Sequence, residues 1–419
     1  SGMYLAQMLS LGFVVLAVMG VHGAVRGLTG QKLPAIVAAL AAWGVPWTAM
    51  LGAVAYNEPA LLLYGTLCVA WLLRARTRAT GRYELVVAGV MGGLACGTKY
   101  TAIPLLLVAA PLLWLGLVVA ARRGTKAAGQ AGDGHGQWRP RQMAGGVAAC
   151  WAAALVVVSP WLIRNVAWAG NPVFPQAMPL LGQAHFSDAQ AERWQVAHSA
   201  AAGQQSLSGR LEAAKEQIVV DPRYGYLFVP MVVLGAGLAL GRPGAGLCAA
   251  LLVVLAGFWL FLTHLQGRFF VLAIPVGAML IGLAAQRGWW RYVLLGGVVG
   301  MLVAGQLYLA PRLAKAVEPA PGVQRAGLTE LWALHPELEA AAGSGKTLLL
   351  IGDARAFLYP AGRGQLYYRT IFDLRAEEQQ TLTSAWRRGW PTGPDTVEQI
   401  NVGELRRLAR TYRHVPPQE

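Results

Sequence analysis

The sequence predicts a polytopic α-helical membrane protein of about ten spans, followed by a small C-terminal extracytoplasmic domain of α/β or α+β type. Three observations predict it. The 419 residues are 55% apolar and 13% charged, with a mean hydropathy of +0.44, where a soluble domain carries about 25% charged residues. Apolar runs recur from about Leu5 to Leu309, at close to the ~20 residues a helix needs to cross the hydrocarbon core. Beyond Pro311 the composition turns mixed and polar.

Taken in order, apolar runs and their breaks place spans near 4–22, 34–55, 59–73, 84–98, 101–121, 143–163, 226–240, 246–263, 269–285 and 290–309. Abundant Ala and Gly let such helices approach closely. Residues 1–310 form the membrane domain, with a long outward loop over 164–225, and residues 311–419 form the soluble domain.

The formal charge of +15 raises nucleic acid as a partner, but the charge alternates instead of forming one face. Arg26 and Lys32; Arg74, Arg76, Arg78 and Arg82; Arg122, Arg123, Lys126, Arg139 and Arg141; Arg242; and Arg287 and Arg291 fall in alternate loops, opposed there only by Asp133. Lys and Arg excess marks the cytoplasmic side, so the partner is a lipid bilayer and not nucleic acid. The intervening loops, with Glu58, Lys99, residues 164–225 and 264–268, then face outward, as do Ser1 and the tail. Cys68, Cys96, Cys150 and Cys248 sit within apolar runs without metal-ligand spacing and read as small buried hydrophobes.

In the tail, "AAAGSGKTLLL" (340–350) ends in the Gly-Lys-Thr of a phosphate loop. A phosphate loop needs a strand before it and a helix after it, with glycine at its first position. Here that position is Ala340, "ELWALHPELEAAAG" reads as a helix before the turn, and "TLLLIGDA" reads as a strand after it. ATP is therefore not an expected partner. "GQLYYRTIFD" reads as a second strand-like segment, and "DLRAEEQQTLTSAWRRG" and "VGELRRLARTY" as helices.

Polar residues gather at four outward helix ends. Ionisable groups near membrane depth are costly and tend to mark working sites. "AVAYNEPALLLYG" places Asn57 and Glu58 before Pro59, a pair that also reads as a helix cap. "LACGTKYTAIP" places Lys99 and Tyr100 between two runs, where the lysine meets lipid phosphate or snorkels to the interface. "SPWLIRNVAWAGNPVFP" supplies Arg164 and Asn165, and "FLTHLQGRFFVLAIP" supplies His264, Gln266 and Arg268. Together these suggest a cleft for an anionic, lipid-linked ligand.

These same segments, in this order, with "LLLIGDARAFLY" in the tail, resemble the multi-spanning, lipid-carrier-dependent glycosyltransferases of the GT-C class. The branch in view holds the bacterial aminoarabinose transferases and the protein O-mannosyltransferases. The resemblance implies a bacterial inner-membrane enzyme that transfers a sugar from a polyprenyl-phosphate donor to an acceptor at the outer face. It implies Glu58 and Asn57 as the catalytic pair. Lys99, Arg164 and Arg268 would hold the carrier phosphate, with Tyr100, Asn165, His264 and Gln266 lining the same cleft. Some members also bind a divalent metal; no other cofactor is implied.

Class members begin with a first span and a long outward loop carrying the main catalytic acid. This chain starts at what resembles the second span, and residues 1–55 hold no Asp or Glu. The expectations are a fragment, a protein partner supplying the missing part, Glu58 in the acid's role, or a non-catalytic subunit that scaffolds a larger complex. A secondary transporter would need internal repeats and a midplane site, and neither is legible. In the long loop, Leu207–Val219 has amphipathic helical spacing suited to the outer interface. His185, Asp188, His198 and Asp221 read as parts of an ordinary solvated loop.

Overall fold

A computed structural model describes residues 2–54, 56–77, 81–127, 140–317, 347–350 and 367–370. Its helices are α1 (Gly2–Thr29), α2 (Lys32–Trp43), α3 (Pro46–Ala53), α4 (Glu58–Thr77), α5 (Arg82–Thr98), α6 (Ala110–Ala127), α7 (Pro140–Ala169), α8 (Met178–Leu181), α9 (Asp188–Ala197), α10 (Leu207–Ala214), α11 (Phe228–Leu238), α12 (Ala245–Leu262), α13 (Ala273–Ala284) and α14 (Trp290–Val317). Two π-helical turns, Ile103–Ala109 and Lys215–Val219, precede α6 and follow α10.

Helix occupies all ten expected positions, but the expectation of about ten spans is corrected. Among the described residues six helices are long and apolar enough to cross a membrane: α1, α4, the π turn with α6, α7, α12 and α14. A seventh span results if α2 and α3, bent by 62° at their break, count as one. At 1.5 Å per residue, α11 and α13 reach under ~20 Å, short of the ~30 Å hydrocarbon core. The reason lies in burial. Every residue of α13 is buried, so its apolar run serves the bundle centre and not a lipid face. The π turn at Ile103, the break at Gly44–Val45 and the passage of α14 through Pro311 were not expected from the apolar pattern.

Helix α5 packs on α7 through glycine. A Cβ at Gly89 would lie 2.1 Å from the Cys150 carbonyl oxygen, and one at Gly93 2.5 Å from that of Ala154. Only bare backbone fits there, the small-residue seam by which membrane helices associate without a hydrophobic driving force.

Side-chain contacts sort the helix ends into two sets. At one end Arg74 lies 3.8 Å from Glu84, Arg287 donates to the Leu240 carbonyl, and Gly244 packs near Leu28 and Leu73. These are the basic loops of the sequence. At the other end the start of α4 meets the end of α5 through Asn57 and Thr98, and Arg210 of α10 donates to Leu260 of α12 at 2.6 Å.

The chain divides into two compact units, residues 1–187 with 194–318, and residues 188–193 with 319–419. In the second, β1 (Thr347–Leu350) and β2 (Tyr367–Thr370) pair in parallel, with Thr347 opposite Tyr367. Thr347 of the Gly-Lys-Thr sequence therefore opens a strand, where a phosphate loop would open a helix. The expected tail helices lie outside the described residues.

Candidate functional site

The site is built from three helix ends. Helix α5 stops because Lys99 turns to an extended conformation (φ −154°, ψ 127°). Helix α4 starts at Glu58, where an acid suits the positive helix end. The Asn57 side-chain amide donates to the Thr98 carbonyl at 3.2 Å and ties the two ends together. Glu58 is 3% exposed, and its Oε1 lies 2.6 Å from Lys99 Nζ. Burial pulls the Lys99 ammonium below the usual lysine range, with Arg268 adding to the effect and Glu58 opposing both.

The third element is the segment from Thr263 to Phe270, which leaves α12 under several constraints. Leu265 is held at φ 57°, a left-handed conformation costly for a branched residue. Trp259 Nε1 donates to the Gln266 carbonyl at 2.9 Å. Gly267 is gripped on both sides: Tyr224 Oη donates to its carbonyl at 2.7 Å, and its amide donates to Gln217 Oε1 at 3.3 Å. A Cβ at Gly267 would meet the Gln217 carbonyl at 2.7 Å, so only glycine fits against the second π turn. The outcome is a fixed direction for Arg268.

Phe269 is the hub. Lys99 Nζ lies 3.9 Å from its ring centre, the Arg268 guanidinium carbon 5.2 Å, and the His264 ring 4.7 Å. Arg268 also lies 5.7 Å from the Tyr56 ring. Arg268 Nε is buried without a hydrogen-bond partner, and among the described residues no carboxylate pairs with Arg268. Burial, His198, Arg268 and Lys99 all depress the His264 imidazole, while Gln266 opposes them.

The structure thus brings Glu58, Asn57, Lys99, His264, Gln266 and Arg268 together. Arg164, Tyr100 and Asn165 form a neighbouring arrangement. Tyr100 Oη accepts from Trp161 Nε1 at 2.8 Å and Asn165 Nδ2 at 2.5 Å, and donates to the Phe174 carbonyl at 3.1 Å. Arg164 stacks on Trp161 at 4.7 Å and Trp168 at 4.1 Å, on the rim of a cleft of about 420 Å³ lined by Tyr64, Gly93, Gly97, Thr98 and Val157. None of its recorded contacts reaches Arg268.

His198 is exposed, as expected of a solvated loop, and its ring lies 5.7 Å from His264. Asp221 is 4% exposed and chelated by Arg223. Sequence reading also missed Phe269, Tyr56, Gln217 and Tyr224; the Gly267 in "THLQGRFF" was the available signal for the grip. The residues do not fit a divalent metal. Glu58 is held by Lys99, and among the described residues no group of three His, Cys, Asp or Glu gathers.

No protein-family model matches the sequence, and no curated protein does. Two solved structures of ArnT from Cupriavidus metallidurans are similar to it. The apo form gives a TM-score of 0.53 at 16% identity, covering 94% of this chain and 79% of that one. The form bound to undecaprenyl phosphate gives 0.48 at 17% identity, covering 80% of this chain and 55% of that one. This chain therefore spans about half of the latter's length. The likeness is one of fold alone: a multi-pass helical membrane fold like that of the apo ArnT structure.

Proposed function

We propose that this chain carries the outward cleft of a membrane glycosyltransferase that moves a sugar from a polyprenyl-phosphate carrier to an acceptor at the outer face of a bacterial inner membrane. One observation carries the reading. Arg268, with an unpartnered Nε and no carboxylate, converges with Lys99 on one aromatic ring at the outward helix ends. A partly buried cation pair with only one neutralising acid leaves a place for an anion. In such a transfer the leaving group is the lipid phosphate, and fixed cations stabilise the charge it gains. Arg268 presents a planar donor fork to that phosphate and Lys99 a point charge. Glu58 holds Lys99 in position, and the Arg268 guanidinium lies beside the Tyr56 and Phe269 rings.

The test is binding of farnesyl phosphate to the full chain in nanodiscs. Wild type should bind, and Arg268→Ala should weaken binding by about tenfold, or ~1.4 kcal/mol. No binding by wild type would sink the reading. A second reading, a non-catalytic subunit that scaffolds a larger complex, is favoured by the contacts of Glu58, whose buried carboxylate is already engaged by Lys99 at 2.6 Å. It predicts carrier binding without sugar turnover, and a stoichiometric partner on copurification.

A further inference from the structure

Next to Phe269 stand two imidazoles that the proposed reaction does not use. His264 packs edge-on against Phe269, and His198 packs edge-on against His264 at 5.7 Å. Their geometry is fixed from two separate stretches of chain. His198 stacks on Trp194 at 4.2 Å, and its Nδ1 lies 2.7 Å from the Trp194 carbonyl oxygen. A carbonyl only accepts, so Nδ1 carries the hydrogen. Nε2 of His198 is then a lone pair when the ring is neutral, and turns into an N–H donor when it is protonated.

The groups facing His264 are His198, Arg268, Lys99 and the Gln266 amide, with Glu58 reaching it only through Lys99. Among the described residues no carboxylate pairs with either imidazole. Four basic side chains from three parts of the chain therefore share one neutralising acid, and that acid sits at the far end. One bound phosphate satisfies Lys99 and Arg268. It does not account for two further nitrogen-bearing rings in contact beside them.

We propose that His264 and His198 form a second anion position, so that the cleft takes a ligand set with two anionic groups, of which a lipid-linked diphosphate is the simplest. This rests on the anion site described above and extends it. Without a ligand, burial and the neighbouring cations oppose protonation of His264. An anion placed there reverses that balance, so binding draws in a proton. Affinity for the second group then rises as pH falls through the imidazole range. The phosphate's own second ionisation, near pH ~6, works against this on both kinds of ligand, so the informative quantity is the ratio between them.

The experiment measures farnesyl phosphate and farnesyl diphosphate binding to the full chain in nanodiscs, between about pH 5.5 and 8. The diphosphate preference should reach about tenfold at the acid end and fade toward the alkaline end. His264→Gln and His198→Gln should flatten this pH dependence, with the melting temperature of the same protein in nanodiscs reporting its integrity. His264→Lys, which fixes a charge, should carry the preference to alkaline pH. Inorganic phosphate added over saturating farnesyl phosphate separates the sources. If it binds in a histidine-dependent way and the diphosphate gains nothing, the second group arrives on a separate molecule. A preference absent at every pH, with no histidine-dependent phosphate binding, overturns the second position. So does a preference unchanged in both glutamine variants. Failure of both farnesyl probes to bind wild type instead overturns the underlying anion site.

Discussion

The Lys99 ammonium and the Glu58 carboxylate, 41 residues apart in sequence, meet at 2.6 Å with 13% and 3% of their side chains exposed. The pair joins the start of α4 to the end of α5 beside the cations of the cleft. It also sets the electrostatic state of the site, because among the described residues no carboxylate pairs with Arg268. A buried ion pair adds little net stability against an apolar pair, but losing one partner strands a charge.

Glu58→Gln should therefore lower the melting temperature in nanodiscs by an amount corresponding to about 3 kcal/mol. Glu58→Gln/Lys99→Met should recover part of the loss, since no charge is left unpaired. Equal melting temperatures for the single and double variants would argue that the pair is not buried in the protein as described.

Tyr100→Phe removes a hydroxyl that accepts from Trp161 and Asn165 and donates to the Phe174 carbonyl. Two donors and an acceptor lose their partner at once, at a cost of about 1–3 kcal/mol where water cannot replace it. Thermal unfolding followed by tryptophan fluorescence reads this directly, because Trp161 is one of the affected donors.

Gly93→Val should prevent α5 from seating on α7. A Cβ there already meets the Ala154 carbonyl at 2.5 Å and the Val157 Cβ at 2.9 Å. The expected outcome is loss of the monodisperse peak in detergent gel filtration. At Gly97, where a Cβ meets nothing within 4 Å, alanine should be tolerated.

The depressed His264 imidazole gives a pH dependence with a definite sign. Burial and the neighbouring cations hold its folded pKa below that of a free imidazole, so between the two the unfolded chain binds more protons. Stability of the ligand-free protein should fall as pH drops through that window and level off below the folded pKa. His264→Gln should shrink this part of the slope. A slope of the opposite sign in that window would count against the buried imidazole.

What the sequence made legible was what depends on neighbouring residues. Apolar runs located the helices at the ten expected positions but not α8 or α9 in the long polar loop, and Lys99, Arg268 and Glu58 were marked by being charged at the ends of such runs. Span length was misjudged where an apolar run serves the bundle interior, as in α13. The break at Gly44–Val45 had a signal in Pro46, since the residue before a proline avoids helix. The π turns had none, because an added residue within a helix leaves the apolar character unchanged. His198 was missed for a plainer reason: its partner His264 is distant in sequence, and only the fold brings the two rings together.

The break between α2 and α3 limits which parts of this protein are free to move. There the Thr48 hydroxyl donates to the Ala42 carbonyl at 2.7 Å. The Trp47 amide, freed by the bend, donates to the Arg223 carbonyl at 2.8 Å, with the Arg223 guanidinium stacked on the indole at 4.8 Å. Residues 221–224 thus take up the backbone amide freed at the break. Because Tyr224 in the same stretch also grips Gly267, this stretch cannot swing aside as a gate without uncapping one helix and slackening Arg268. Any opening that admits a substrate has to hinge elsewhere.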